Sequence, residues 1–509
     1  MPDSEKKILS LEALAEKARE LKSQGKRVVL SHGIFDLVHN GHISHLKKAR
    51  SEGDVLFVTL TGDKYVNLGP GYPMFPENLR AETLAALGCV DYIAINNSST
   101  AANIIEVIKP YGFVKGGEYK TSFDDPSGDI AEEKRVLDSY GGLLKFTSNS
   151  NFDSPHFLNR YLGIFSSEAK DFLRQFRDTN SYIDIISKLQ RFESLKVLVV
   201  GDAIVDEYHY VSPLGQSGKG FHLAVKYDSF ERFAGGSLAV ANHISGFAKE
   251  VTLVAGLGKN DGYEEFVKAE LNKGVAQKFF QTNEFPTIVK RRYVDFDMNK
   301  LFEVCFFNDD PQPENIDRDV CFWLDEHVPE YDLVIVPDFG NGFITKNMVE
   351  VICEKARFLA VNTQINSGNR GYHVINRYSR ADFVSLNEPE IRLATHNRYD
   401  PVEPIMEKVA ASMGARWVAV TRGTKGAIIF DREENKFMEA PSLSMKVVDR
   451  IGAGDTFLSL AGLCLGGELS AELAIFVGSA AAALSVQTVC NKDPVDSVDL
   501  YNYITSLLK

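Results

Sequence analysis

The chain of 509 residues is too long for one ordinary core and is read as two or three domains. With 44% hydrophobic and 25% charged residues it excludes wholesale disorder. Its formal net charge of −13 argues against nucleic acid or an anionic membrane as the main partner, while leaving room for local basic pockets.

Met1–Leu9 is charged and lacks the continuous apolar core of a secretory signal. From Arg27 the pattern alternates short β-branched or aromatic runs with amphipathic stretches. Strands are expected at Arg27–Ser31, Asp54–Leu60, Asp91–Asn96, Phe113–Lys115 and Leu143–Phe146, with helices at Gly41–Glu52, Glu77–Leu87, Thr100–Lys109 and Ile130–Ser139. Such alternation predicts an α/β fold, doubly wound about a parallel sheet, with a ligand crevice at the carboxyl ends of the strands. Residues 166–195 are helical in period without strand signal and read as a connector between a domain of residues 1–165 and one of residues 196–509. A second β/α series starts at Lys196-Val197-Leu198-Val199-Val200 and is interrupted at Asp206–Tyr227 by a turn-rich, strand-like insertion, read as a small β lid. The apolar stretch Ala474–Val486 is too short to span a bilayer, and the six cysteines (89, 305, 321, 353, 464 and 490) form no C-x-x-C pair. A cytoplasmic protein with reduced thiols is expected.

Two segments carry chemistry. In His39-Asn40-Gly41-His42, at the expected start of the helix after the first strand, two imidazoles stand three residues apart beside free backbone N–H groups. That suits an α-phosphate under in-line attack, because the helix dipole and both histidines can share the growing charge. Gly41 permits close approach of a phosphate, and Gly33-Ile34-Phe35-Asp36 supplies a turn and a carboxylate. Far downstream, Gly452-Ala453-Gly454-Asp455 opens the helix Thr456–Leu465. Small residues there leave N–H groups for a developing anion, and Asp455 can take a proton from an attacking hydroxyl, as phosphoryl transfer requires.

His32–His42, with Glu77-Asn78-Leu79-Arg80 and Val114-Lys115-Gly116-Gly117-Glu118-Tyr119, resembles the cytidylyltransferase-like nucleotidyltransferases, in particular the adenylyltransferase half of bifunctional ADP-heptose synthases. The resemblance implies that His39 and His42 stabilise the transferring phosphoryl group, with Gly33, Phe35, Asp36, Gly41, Arg80, Lys115 and Gly116 at the nucleotide. Leu68 and Tyr72 stand where relatives carry basic residues, and Asp153-Ser154-Pro155 replaces a Ser-Ser-Thr-like motif.

Around Asp455, the ordered motifs Asp202 and Asp206, Gly235-Gly236, Asp338-Phe339-Gly340-Asn341-Gly342, Asn387-Glu388-Pro389-Glu390 and Thr421–Gly426 resemble the ribokinase-like (PfkB) sugar kinases. By that resemblance Asp202, Asp206, Gly235, Gly236, Asn242 and Asp338 lie at the sugar, and Asn387 and Glu390 lie around Mg²⁺. Thr421, Gly423, Gly426, Gly452, Ala453 and Gly454 meet the nucleotide, and Asp455 is the base. Asn387 and Glu390 also match a helix capping box. Lys290, in Lys290-Arg291-Arg292, is either a cation for an anionic sugar phosphate or part of a solvated strand edge. Asn362 and Gln364 replace an Asp and a Lys of the family pattern.

The combined expectation is a sugar kinase joined to a sugar-1-phosphate nucleotidyltransferase. Its small-molecule partners are a sugar phosphate and Mg-ATP, with CTP as the alternative nucleotide, and a homodimer is expected by analogy with family lids. The kinase leads in typical ADP-heptose synthases, whereas here the nucleotidyltransferase does. A chain with only the kinase half active, and a nucleotide or sugar-phosphate sensor, are the alternatives.

Overall fold

The structure is a computed structural model that describes residues 6–66, 72–98, 100–116, 129–147, 165–308, 310, 312–366, 368–369, 371–444 and 447–508. The chain divides into two compact units, Met1–Ser166 with Tyr501–Lys509, and Ser167–Leu500. Among the described residues no helix is long and apolar enough to cross a membrane.

In the first unit, β1 (Val28–Gly33), β2 (Val55–Thr61), β3 (Tyr92–Asn96), β4 (Gly112–Lys115) and β5 (Leu143–Phe146) form a parallel sheet in the order β3-β2-β1-β4-β5. Strand β2 is buried along its whole length, as a strand covered by helices on both faces must be. The order reverses beside β1, so the crevice at its carboxyl end is a topological switch point. The helix Asn40–Ser51 begins there.

In the second unit, the strands β6 (Lys196–Val200), β7 (Ala203–Gln216), β8 (Leu223–Gly236), β9 (Glu250–Gly258), β10 (Val275–Thr282), β11 (Ile288–Val294), β12 (Lys300–Phe306), β13 (Leu333–Asp338), β14 (Leu359–Thr363), β15 (Phe383–Asn387), β16 (Trp417–Thr421), β17 (Ala427–Asp431) and β18 (Lys436–Ala440) make two sheets. The main sheet runs β10-β9-β6-β13-β14-β15-β16-β17-β18, parallel from β10 to β16 and antiparallel at β17 and β18. Helices Ala453–Gly466 and Ala471–Ser485 are apolar nearly all round because both lie inside this unit.

The lid is larger than the insertion read from sequence. A four-stranded sheet, β12-β11-β7-β8, recruits β11 and β12 from beyond residue 227. The expected connector also differs. Helices Ser167–Thr179 and Tyr182–Gln190 form, but they pack into the second unit, Phe176 stacking on Phe476 at 4.3 Å between ring centroids. Their amphipathic period is the signature of a face that needs a core to cover it.

Candidate active sites

In the first unit β1 ends at Gly33, and the chain turns through Phe35 and Leu37, both held at positive φ (51° and 50°). Backbone in that region costs a non-glycine residue stability and persists where the surroundings impose it. Here Phe35 is buried in the core and sets its ring edge-on to His42, 5.5 Å away. His39 caps the helix Asn40–Ser51, its Nδ1 accepting the Gly41 N–H at 3.1 Å, and His42 Nδ1 accepts the His39 N–H at 3.4 Å. With both Nδ1 atoms accepting, each ring carries its proton on Nε2 as a donor. The rings stack at 4.1 Å, and burial, with His39 and His45 nearby, pushes His42 down to about 3 and keeps it neutral.

Sequence reasoning passed over two further histidines. His32, partly buried and pushed down to about 3 by desolvation, bridges the Thr59 and Thr61 hydroxyls at 3.0 and 3.2 Å. His45 bridges Ser31 Oγ (2.8 Å) and Thr147 Oγ1 (3.1 Å). The spacing of His42 and His45, one further turn along the same helix face, was the available signal.

Three residues expected at the nucleotide are engaged within the protein. Arg80 is 1% exposed and donates to the carbonyls of Phe75 (2.9 Å), Ile34 (2.6 Å) and Thr61 (2.9 Å) and to Asp63 Oδ1 (2.5 Å). Buried Asp36 accepts the Met74 and Phe75 N–H groups at 2.6 and 3.1 Å, anchoring that loop beneath the turn. Lys115 forms a 2.6 Å ion pair with buried Glu133. Gly41 lies in the first helical turn, and Gly33 and Gly116 end β1 and follow β4 at the crevice. Tyr72 has a buried hydroxyl with no partner among the described residues, while Leu68, Gly117, Glu118, Tyr119, Asp153, Ser154 and Pro155 lie outside the described residues.

In the second unit, the helix Ala453–Gly466 starts from Gly452 at φ 91°, where a Cβ would fall 1.9 Å from Asn491 Oδ1. The first intrahelical bond is Thr456 N–H to the Gly452 carbonyl, 2.9 Å. The N–H groups of Gly454 and Asp455 meet no acceptor among the described residues, and this bare terminus fits a phosphoryl oxygen. Burial pushes the Asp455 carboxyl up to about 7, with Lys290 opposing the rise and Asp206 and Glu390 adding to it. These four residues therefore share one electrostatic neighbourhood.

Lys290 reaches it from β11, its ammonium 5.6 Å from the Phe339 ring centroid. Arg291 and Arg292 are instead paired with Glu207, and with Asp206 and Glu303. Of the basic run, Lys290 alone takes no carboxylate partner among the described residues. Gly235 and Gly236 are glycines of necessity: a Cβ on Gly235 would lie 1.9 Å from Asp206 Oδ2, and one on Gly236 (φ 59°) 2.6 Å from the Asp202 carbonyl oxygen.

Several predicted sugar or metal residues are placed otherwise. Asp202, fully buried and pushed up to about 6 by burial and by Asp338, accepts the Asn341 and Phe343 N–H groups at 3.3 and 3.2 Å. Asp338 binds His373, Arg377 (both 2.8 Å) and the Tyr378 hydroxyl (2.7 Å); burial acts to raise it, but these partners hold it below the usual carboxylate range. Asn242 joins its helix to the Glu270 carbonyl and the Asn272 N–H, both at 2.9 Å. Asn387 and Glu390 form a reciprocal capping box at 2.8 Å, and Glu390 Oε1 also accepts the Ile365 N–H at 3.3 Å. Each Glu390 oxygen thus already accepts one N–H, burial pushes its carboxyl up to about 7, and no group of three or more His, Cys, Asp or Glu side chains placed to hold a metal exists among the described residues. These residues do not fit a direct Mg²⁺ cage.

Thr421 ends β16, and Gly423 and Gly426 (φ 59° and 82°) shape the turn into β17, where a Cβ on Gly426 would meet the Ala440 carbonyl oxygen at 2.0 Å. Asn362 donates to the Ser385 carbonyl at 2.8 Å, tying β14 to β15.

The model of the pfkB family carbohydrate kinases matches residues 194–496. The chain belongs to that family. The cytidylyltransferase-like model matches residues 30–149. Relatives named "Bifunctional protein HldE" are 41% identical over 149 residues in Geotalea uraniireducens (29% of each chain) and 43% identical over 145 residues in Citrifermentans bemidjiense (28% of each chain). The chain thus spans under a third of the length of the curated relatives it matches. Among solved structures, phosphofructokinase-2 from Escherichia coli in complex with substrates and products is similar to 62% of this chain and to 100% of its own, with TM-score 0.51 and 16% identity. That likeness is one of fold.

Proposed function

We propose that this pfkB-family chain is a bifunctional transferase: a sugar kinase, and a nucleotidyltransferase that converts a sugar 1-phosphate into a nucleotide-activated, ADP-heptose-like sugar. The observation carrying the reading is Asp455, a carboxyl pushed up to about 7 by burial at the uncapped start of a helix, with Lys290 opposing that rise.

In the kinase step Asp455 takes the proton of the anomeric hydroxyl, whose oxygen attacks the γ-phosphorus of Mg-ATP; ADP leaves. The N–H groups of Gly454 and Asp455 take the developing charge and Lys290 neutralises it. Mg²⁺ enters with the nucleotide as part of the substrate. In the second step an oxygen of the sugar 1-phosphate attacks the α-phosphorus of ATP or CTP and pyrophosphate leaves, while the Nε2–H donors of His39 and His42 stabilise the transferring group. Because Arg80 and Lys115 are committed to internal partners, the kinase alone being active is the second reading.

The cytoplasm is the proposed location, in keeping with the free cysteines among the described residues. A homodimer through the lid is proposed from the exposed Tyr227, Phe230, Phe302 and Phe306 on its sheet; light scattering reads the mass.

The deciding experiment incubates the full chain with Mg-ATP, CTP and a panel of heptose and hexose phosphates, followed by anion exchange and mass spectrometry. A new sugar bisphosphate lost only in Asp455→Asn and a nucleotide sugar lost only in His39→Ala establish both steps. Confirmed nucleotide binding without product from any sugar overturns the biosynthetic reading in favour of a sensor.

A further inference from the structure

The turn that presents the anion-binding N–H groups is held by a carboxylate outside the reacting set. Asp449 is 3% exposed, and its oxygens accept the Ile451 N–H and the Cys490 N–H, both at 3.2 Å, stitching the turn before Gly452 to the loop that carries Asn491. Its remaining two partners come from the lid sheet. Tyr208 of β7, fully buried, donates its hydroxyl at 2.6 Å, and Lys300, the first residue of β12, donates its ammonium at 2.7 Å. Tyr208 is fixed edge-on against Phe233, ring centroids 5.4 Å apart, and the Lys300 ammonium lies 5.7 Å from the Tyr208 ring. Burial acts to raise Asp449, but Lys300 and Tyr208 outweigh it and hold the group ionised.

We propose that Lys300 and Tyr208 are positioning residues that latch the lid sheet to the anion-hole turn through Asp449, so that the turn keeps its phosphate-binding shape only while the lid is engaged. Neither residue touches the reacting atoms. The physical basis is the cost of a buried carboxylate: stripped of its charged donor, Asp449 must find another proton or donor, and the turn it holds moves with it. Lys300 is two-thirds covered, with a third of its side chain open to solvent. The carbon stem can therefore be kept and the charge removed by Lys300→Met.

The proposal rests on the kinase reading. Its test is isothermal titration of the full chain with Mg-ADP alone and with Mg-ADP plus aluminium fluoride, a mimic of the phosphoryl group in flight, beside thermal melting. Wild type binds the fluoride complex at least tenfold more tightly than Mg-ADP. Lys300→Met loses that advantage while keeping Mg-ADP affinity within twofold, Lys300→Arg restores it, and Tyr208→Phe, which deletes one hydroxyl, loses part of it. An undiminished advantage in both Lys300→Met and Tyr208→Phe overturns the latch, as does a parallel loss of Mg-ADP affinity and melting temperature, which marks a merely structural contact. Absence of the advantage in wild type overturns the kinase reading itself.

Discussion

Arg80→Leu separates the two roles open to this residue. Its guanidinium donates to three carbonyls, of Phe75, Ile34 and Thr61, and to Asp63. Bonds from a charged donor are worth about 1.5–3 kcal/mol each, and an acceptor left buried and unsatisfied costs about 1–3 kcal/mol. The half-exposed Asp63 partner adds little. Allowing for non-additivity among neighbouring contacts, the loss is at least about 4 kcal/mol in the first unit. Since about 1.4 kcal/mol is tenfold, amide exchange limited by opening of that unit should quicken by roughly a thousandfold. Hydrogen-exchange mass spectrometry on the full chain reads this in peptides covering β1 and β2. Peptides covering β13 to β16, in the other unit, serve as the control. Unchanged exchange at β1 and β2 together with a tenfold fall in ATP or CTP affinity would refute the argument and return the guanidinium to the nucleotide.

The kinase rate should fall as pH drops through about 7, because Asp455 must be unprotonated to act as base and its carboxyl is pushed up to about 7. Lys290→Met, which removes the group opposing that rise, moves this limb to higher pH; a limb that stays in place in kcat-against-pH measurements contradicts the assignment. Gly235→Ala drives a methyl into Asp206, so the sugar KM should rise at least tenfold and melting temperature fall; steady-state kinetics with calorimetry check both. His39→Ala should cost nucleotidyl transfer about 10²–10³-fold, the size of one lost oxyanion donor, with kinase turnover unaltered in the same preparation. Asn242→Ala should leave the sugar KM unchanged while lowering stability by about 1–3 kcal/mol in denaturant titration, because its amide bonds run to Glu270 and Asn272.

The α/β class and the two helix starts at Asn40 and Ala453 were legible because they depend on local information: β-branched runs, their spacing, and small residues before an apolar helix. What sequence could not reveal was the direction in which a charged side chain spends its hydrogen bonds. Asp36, Asp202 and Asp338 sit at strand ends, where ligands bind, yet all three turn inward to fix neighbouring loops. Asp206, four residues after Asp202, influences Asp455 electrostatically from β7, yet it too is held by an internal partner, Arg292, 86 residues downstream. The lid itself was undersized for the same reason: β11 and β12 are separated by long stretches of sequence from the hairpin they complete, and no local pattern announces that pairing.

The two helix starts also differ in readiness. At Asn40–Ser51 the terminus is capped by its own chemistry: His39 Nδ1 takes the Gly41 N–H and His42 Nδ1 takes the His39 N–H. A phosphate that needs the Gly41 N–H must displace an imidazole, so on the proposed reading the cost of rearrangement falls within the binding step, and the Nε2 donors are the groups left to meet a nucleotide. At Ala453–Gly466 the cap is a bare glycine, the N–H groups of Gly454 and Asp455 meet no acceptor among the described residues, and the turn is fixed from behind by Asp449 and Asn491. Preorganised donors aimed at the place where charge develops contribute to the rate without reorganisation at the moment of reaction. The kinase terminus meets that condition as it stands, whereas the nucleotidyltransferase terminus meets it only after its cap has moved. On the proposed reading, the same helix-start chemistry serves phosphoryl transfer directly in one unit and, in the other, leaves the site to be assembled when a nucleotide binds.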